Sequence, residues 1–237
     1  MKKVLVLTSG GMDSTTLLHH HVKGGDQVRA IAFNYGQRHQ KELDFARYQA
    51  AFLGTPFHLV PLVTLADTLP GSSQTDLSVP VPEGRYDEES MKKTVVPNRN
   101  MILLSIAIGH AIAHGLDYVA YAAHAGDHAI YSDCRPEFAE AMNVVAALCD
   151  WHKVELLRPF IKMTKADIVT LGVDLKVDYL RTWSCYRGEG LHCGRCGTCV
   201  ERREAFHLAD IIDPTPYHPL APTVEEMVQH DWHLPAH

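Results

Sequence analysis

The chain has no apolar run approaching the roughly 18–20 residues that a bilayer-spanning helix requires. Met1-Lys2-Lys3 opens onto only a short apolar stretch before Gly10-Gly11, less than the hydrophobic segment of a secretory signal. A cytoplasmic protein with no membrane partner is therefore expected. Basic excess is missing as well: 22 Lys and Arg stand against 28 Asp and Glu, a formal charge of -6. A surface that grips a nucleic-acid backbone is normally net basic, so no direct nucleic-acid binding is expected and a small-molecule substrate is favoured. Two familiar nucleotide fingerprints are also lacking, the Walker lysine and the Gly-x-Gly-x-x-Gly turn. There is no internal repeat and no low-complexity tract.

What is present suits a globular enzyme. A length of 237 residues with 46% hydrophobic content can bury a full core. Apolar periodicity predicts a strand over Lys3 to Leu7, a helix over Ser14 to Val22, a strand over Val28 to Phe33, a helix over Gln37 to Leu53 and a strand over Pro56 to Leu62. Such a βαβαβ opening implies an α/β fold, a doubly wound and mostly parallel sheet. The pattern fades across residues 63–98, amid Pro70-Gly71-Ser72-Ser73, Pro80, Pro82 and Glu83-Gly84, which reads as an irregular, lid-like insertion. It then resumes as helices over Met101 to Ala113, Pro136 to Leu148 and Thr164 to Leu171, the last capped by Thr164. Strands are expected over Asp117 to Ala122 and Lys153 to Leu157. Residues 1–182 thus form one domain, and 183–237 form a C-terminal module with a helix over Val200 to Leu208 and a Pro- and His-rich tail. His19-His20-His21 cannot converge on one ion from a helix, where successive side chains fan about 100° apart, so a solvated face is expected there.

A strand that runs through Thr8-Ser9-Gly10-Gly11 into a helix N-terminus makes an anion site. Glycine lets backbone N–H groups approach phosphate oxygens, the helix dipole adds partial positive charge, and Ser9, Ser14 and Thr15 supply hydroxyls. Ser-Gly-Gly-x-Asp-Ser resembles the pyrophosphate loop of the N-type ATP pyrophosphatase (PP-loop) superfamily. That resemblance implies ATP cleaved between its α and β phosphates, with Thr8, Ser9, Gly10, Gly11, Met12, Asp13, Ser14, Thr15, Thr16, Leu17 and Leu18 as the nucleotide segment. Asp13, a hard oxygen ligand, would help place Mg²⁺ or the ATP. Far along the chain, Cys185-x7-Cys193-x2-Cys196-x2-Cys199 provides four thiolates, enough to close a tetrahedral shell around a structural Zn²⁺. His192 is left out of this set because four cysteines suffice.

With both motifs in place, the chain resembles the 7-cyano-7-deazaguanine synthase family over nearly its whole length. The resemblance extends to Phe33-Asn34-Tyr35-Gly36-Gln37-Arg38-His39, Val96-Pro97-Asn98-Arg99-Asn100, the run from Tyr131 through Arg135 to Phe138, and Thr164-Lys165-Ala166. It implies conversion of 7-carboxy-7-deazaguanine and ammonia to the nitrile through adenylated acid and amide, in a homodimer. Arg99 and Arg135 would hold a carboxylate or phosphates, and Lys165 would balance charge on the phosphates, alongside Asp13 and Ser14. Tyr35, Arg38, Asn100, Asp127 and Asp133 are candidate substrate contacts; a surface salt bridge for Arg38, Arg135 and Lys165 and a helix cap for Asp133 are the competing roles. Cys134 is expected to be buried, since ATP activation needs no thioester. Asn98 where the family more often has glycine, and Ser132 where proline is common, raise the alternative of an enzyme that stops at 7-amido-7-deazaguanine. A tRNA-thiolation enzyme of the PP-loop type is the other alternative.

Overall fold

The structure is a computed structural model and describes residues 1–86, 89–188 and 190–234. In β1 (Lys3–Leu7) the consecutive residues Val4, Leu5 and Val6 are all fully buried although they point to alternate faces, so the strand needs cover on both sides. β2 (Gln27–Asn34), β3 (Phe57–Pro61), β4 (Tyr118–Ala120) and β5 (Glu155–Leu157) complete one sheet in the order β3-β2-β1-β4-β5. Every pairing is parallel. The helices are α1 (Met12–Lys23), α2 (Glu42–Phe52), α3 (Thr64–Thr68), α4 (Arg99–Ala113), α5 (Pro136–Leu148), α6 (Lys165–Asp174), α7 (Gly197–Leu208) and α8 (Val224–Gln229).

On one face, Leu5, Ile31 and Val119 pack against Leu104 and Ile108 of α4 and Met142 of α5. On the other, Val4, Val6 and Ala120 pack against Leu17 and Leu18 of α1, Ala50 of α2 and Ile168 of α6. This is the expected doubly wound sheet. Strand order reverses direction between β1 and β4, and the crevice above their C-terminal ends is where such sheets bind ligands.

Two local expectations fail for identifiable reasons. The helix expected from Gln37 begins only at Glu42, because Gly36 takes φ 82 and the Gln37 amide folds back to donate to the Phe33 carbonyl at 3.1 Å while accepting from Tyr35 N–H at 2.9 Å. The histidine triplet is not solvated: His19 and His21 are 0% and 5% exposed. His19 faces the Gln49 carbonyl oxygen at 3.2 Å and His21 meets Asp26 at 2.9 Å. With the sheet on one side and α2 and α6 on others, α1 has little surface left for water.

Among its described residues, the 63–98 stretch holds α3 and a 3-10 turn over Glu89–Thr94 and is otherwise irregular. Met91 and Thr94 are fully buried, and Ser73 N–H donates to the Lys93 carbonyl at 2.8 Å, tying the stretch together. The C-terminal segment lies directly on the first loop, where Trp183 N–H donates to the Gly10 carbonyl at 2.9 Å and Met12 shares a cluster with Phe206 of α7. Gly10 has φ 89, and a β-carbon there would overlap the Glu42 carbonyl oxygen of α2. Gly10→Ala is therefore expected to cost about 3 kcal/mol or more, since neither backbone can yield. A melting curve unchanged from the parent protein would contradict this packing argument.

Candidate active site

Thr8 N–H extends the ladder of β1 to the Ile31 carbonyl at 2.9 Å, and the chain then turns into α1. The turn is held by its own hydroxyls: Ser9 N–H donates to Ser14 Oγ at 3.1 Å, the two hydroxyls lie 3.1 Å apart, and Ser14 Oγ donates to the Gly11 carbonyl at 3.3 Å. Gly11 caps α1 in an extended conformation without a side-chain hydrogen bond, so the first-turn N–H groups remain available at the positive end of the helix. Ser9, Gly11, Met12, Asp13 and Ser14 line a cavity of about 260 Å³ above the β1/β4 switch. Helix-terminal donors opening on a crevice are suited to phosphate oxygens.

At this end of the cavity the charges interlock. Lys165, the first residue of α6, places Nζ 2.5 Å from Glu201 Oε2 of α7 and 3.3 Å from Asp13 Oδ2. The Thr164 cap expected from the sequence is present, with Asp167 returning the hydrogen bond, and it fixes the start of α6 from which Lys165 projects. Burial alone would lower the Lys165 ammonium, but Asp13 and Glu201 outweigh it and hold the group above its usual range. Burial pushes the Glu201 carboxyl up against the opposing pull of Lys165. His124 Nδ1 accepts from Gly126 N–H at 3.1 Å, which turns Nε2 toward Asp127 Oδ2 at 3.5 Å and Asp13 Oδ2 at 3.8 Å. Asp13 Oδ1 is buried and has no hydrogen-bond partner among the described residues.

The other end is built around Arg99, which opens α4. Its Nη1 donates to Gln74 Oε1 at 3.1 Å and to Tyr35 OH at 3.4 Å, and Nε donates to Asn100 Oδ1 at 3.4 Å. The guanidinium lies 5.8 Å and 6.0 Å from the Tyr35 and Tyr131 ring centres. Among the described residues no carboxylate pairs with it. Nearby His39 is lowered to about 3, first by burial and then by Arg99 and Arg38, so it is neutral at pH 7. Glu42 is raised to about 8 by burial, against Gln37 and Arg99, so it is largely protonated there. Arg99 is thus a fixed cation with no carboxylate in direct contact among the described residues, a setting that favours an anionic ligand.

The structure brings Thr8, Ser9, Gly11, Met12, Asp13, Ser14, Tyr35, Arg99, Asn100, Asp127 and Lys165 to one cavity. The other expected residues lie elsewhere. Thr15, Thr16, Leu17 and Leu18 are fully buried behind the loop: Thr16 Oγ1 donates to the Met12 carbonyl at 2.8 Å, and both leucines fill the core. The N-terminal turn of a helix can face a ligand, but residues one turn further on face the sheet. Gly10 packs on α2. Arg38 donates to the Asp76 and Val79 carbonyls, at 2.9 and 3.0 Å. Arg135 is exposed and donates to the His128 carbonyl at 2.9 Å. Asp133 accepts from Asn100 N–H at 3.0 Å, so it caps the start of α4 and not the following helix. Cys134, by contrast, does line the cavity, but it is buried there, which pushes its thiol well up.

Sequence reasoning missed Glu201, His124, Gln74, Tyr86 and Tyr186. The last two share a phenol chain with Tyr131, with oxygens 3.4 Å apart for Tyr86–Tyr186 and 3.2 Å for Tyr131–Tyr186. No local motif marks these residues; a charged side chain on the buried face of α7 was the available signal for Glu201. Neither of the two departures from the family pattern lines the cavity. Asn98 takes φ 59, the left-handed conformation that glycine prefers and asparagine tolerates, and Ser132 is exposed in a 3-10 turn.

The four sulfurs of Cys185, Cys193, Cys196 and Cys199 lie within 4.8 Å of one another. Cys193–Cys199 and Cys185–Cys196 are separated by 3.9 and 4.0 Å, close to the roughly 3.8 Å edge of a tetrahedron with metal–sulfur bonds of about 2.3 Å. Disulfides would need about 2.05 Å. His192 is not among the ligands; its Nε2 accepts from Ser184 N–H at 3.1 Å and its ring lies 4.3 Å from that of Trp183. Cys196 caps α7, so the cluster sits one turn ahead of Glu201 and Arg202. Arg202 is fully buried and donates to Thr182 Oγ1 at 2.8 Å and the Tyr179 carbonyl at 3.1 Å, locking the helix to the body.

Comparison with known proteins follows the same lines. The family model described as Queuosine biosynthesis protein QueC matches residues 3–210. The 7-cyano-7-deazaguanine synthase of Pseudoalteromonas atlantica is 50% identical over 217 residues, 92% of this chain and 99% of that protein. The 7-cyano-7-deazaguanine synthase of Methanoregula boonei is 52% identical over 219 residues, 92% of this chain and 100% of that protein. Among solved structures, NMN synthetase from Francisella tularensis superposes with a TM-score of 0.53 at 13% identity, covering 100% of this chain and 89% of that one, a likeness of fold.

Proposed function

The chain belongs to the family of Queuosine biosynthesis protein QueC, and on that premise we propose that it converts 7-carboxy-7-deazaguanine and ammonia, with ATP, to 7-cyano-7-deazaguanine. The observation that carries this reading is a single cavity with phosphate-binding backbone donors and Lys165 at one end and Arg99, a cation without a carboxylate partner among the described residues, at the other. One end suits a triphosphate and the other an aromatic acid.

A carboxylate at neutral pH resists attack by ammonia because expelling oxide is prohibitively costly. Attack of its oxygen on the ATP α-phosphorus breaks the α–β bond, releases pyrophosphate and leaves an acyl adenylate. Ammonia then forms the C–N bond and AMP departs. The amide oxygen is adenylated in turn, and loss of the amide protons and AMP gives the nitrile. In each activation the first-turn N–H groups of α1 receive the departing pyrophosphate, while Lys165, held cationic by Asp13 and Glu201, meets the charge that develops on it. Arg99 holds the acid in place for the first attack, and its pairing with the carboxylate charge ends once the acyl adenylate forms.

Asp13 Oδ1, a buried hard oxygen without a partner among the described residues, fits Mg²⁺ accompanying the nucleotide. The four-thiolate cluster fits Zn²⁺ in a closed shell with no position for water, a structural clamp under α7. Incubating the protein with Mg-ATP, ammonium and 7-carboxy-7-deazaguanine is expected to release pyrophosphate and shift the base to the nitrile mass. Amide that persists in excess ATP would move the end point to the amide. Absence of pyrophosphate would sink the reading.

A further inference from the structure

Gln74, from the irregular 63–98 stretch, is 1% exposed and lines the cavity beside Arg99. Its backbone is pinned on both sides: its N–H donates to Ser72 Oγ at 3.2 Å and its carbonyl accepts from Arg38 N–H at 2.6 Å. Its side-chain orientation is equally determined. Oε1 accepts from Arg99 Nη1 at 3.1 Å and from Tyr35 OH at 3.1 Å. A guanidinium has no acceptor, so the amide cannot be flipped, and burial pushes the Tyr35 phenol up to about 12, which keeps it a donor. Nε2 is left buried with no partner among the described residues. A buried donor in that condition is destabilising unless an acceptor arrives, so its place at a ligand cavity requires a reason.

The proposed substrate supplies one. Its carboxylate on the five-membered ring and its 6-oxo group are neighbouring substituents on one edge of the bicycle, both acceptors. Arg99 and Gln74 are neighbouring donors, joined through Gln74 Oε1. Resting on the function proposed above, we infer that Gln74 is the residue that selects a 6-oxo base: Nε2 donates to the ring carbonyl while Arg99 takes the adjoining carboxylate. A 6-amino base would set N–H against N–H at the same point. The distinction matters because the co-substrate ATP carries a 6-amino purine, and a stacking site without this donor would admit adenine in place of the acid.

The test compares the 6-oxo acid with its 6-amino counterpart, 7-carboxy-7-deaza-2,6-diaminopurine, in parent protein and in Gln74→Met, reading pyrophosphate release at varied base and at varied ATP. In the parent, kcat/KM for the 6-oxo base is expected to exceed that for the 6-amino base by on the order of 10³-fold, as for sites built to pair one polar group. In Gln74→Met that ratio is expected to fall within about tenfold, through loss of the 6-oxo base, with KM for ATP unchanged. Q74E retains an acceptor for Arg99 and Tyr35 but turns an acceptor in place of the donor toward the 6-position, and serves as the second variant; the preference is expected to fall at least as far and to tip toward the 6-amino base. A parent protein that accepts both bases equally, or variants that keep the full preference, would overturn the role of Gln74 alone. No pyrophosphate from the parent with the 6-oxo base would overturn the underlying function and this inference with it.

Discussion

Asp13→Asn is expected to lower kcat by on the order of 10³-fold, the scale of removing one preorganised charge from a transition state, while leaving the fold intact. The carboxylate does two things that the amide cannot. Its Oδ2 lies 3.3 Å from Lys165 Nζ, sharing that ammonium with Glu201, and its buried Oδ1 is the hard oxygen with no other duty. The amide keeps the size and shape of the side chain at the first turn of α1. Glu201 remains to hold Lys165, so a structural collapse is not expected. Pyrophosphate release read beside a thermal melt separates the effects: a variant that keeps kcat within tenfold would remove Asp13 from the chemistry, and a variant that fails to fold would make its role structural.

If the four cysteines hold a metal as proposed, Cys196→Ser is expected to lose metal binding and about 10 °C in Tm together, since about 3 kcal/mol in a chain of this size shifts the midpoint by that much. Cys196 is fully buried and caps α7, the helix that carries both Glu201 and the fully buried Arg202. Loosening its first turn therefore frees the partner of Lys165 at the phosphate loop as well as the tail. Metal analysis and melting curves on the same preparation provide the check. A metal-free variant with the parent Tm would refute the clamp, and a variant that retains one metal per chain would show that three thiolates suffice.

How much of this was legible in the chain depends on the range of the interactions. The β1–loop–α1 unit was, because a short continuous apolar run, a glycine pair and a hydroxyl-rich first turn are neighbours in sequence and dictate their conformation together. Cys185, Cys193, Cys196 and Cys199 were for the same reason: ligand spacing within a short loop predicts convergence, and their sulfurs converge. Arg38 and Arg135 were not, because an arginine in a family-like segment looks the same whether it faces substrate or, as here, backbone carbonyls, of the 63–98 stretch for Arg38 and of its own loop for Arg135. The histidine triplet misled because a helix that looks polar can still be enclosed when sheet and neighbouring helices crowd it on several sides.

By itself, then, the sequence determined the α/β architecture, the glycine- and hydroxyl-rich turn at the start of α1 and the four-cysteine cluster, each a product of local periodicity or close spacing. Only the tertiary structure decided which side chains meet. Glu201 comes to Lys165 from 36 positions away, and Gln74 to Arg99 from 25. Neither partner advertises the other, because a buried charge or amide is stable only where distant segments supply its complement, and that complement exists only once the chain has folded.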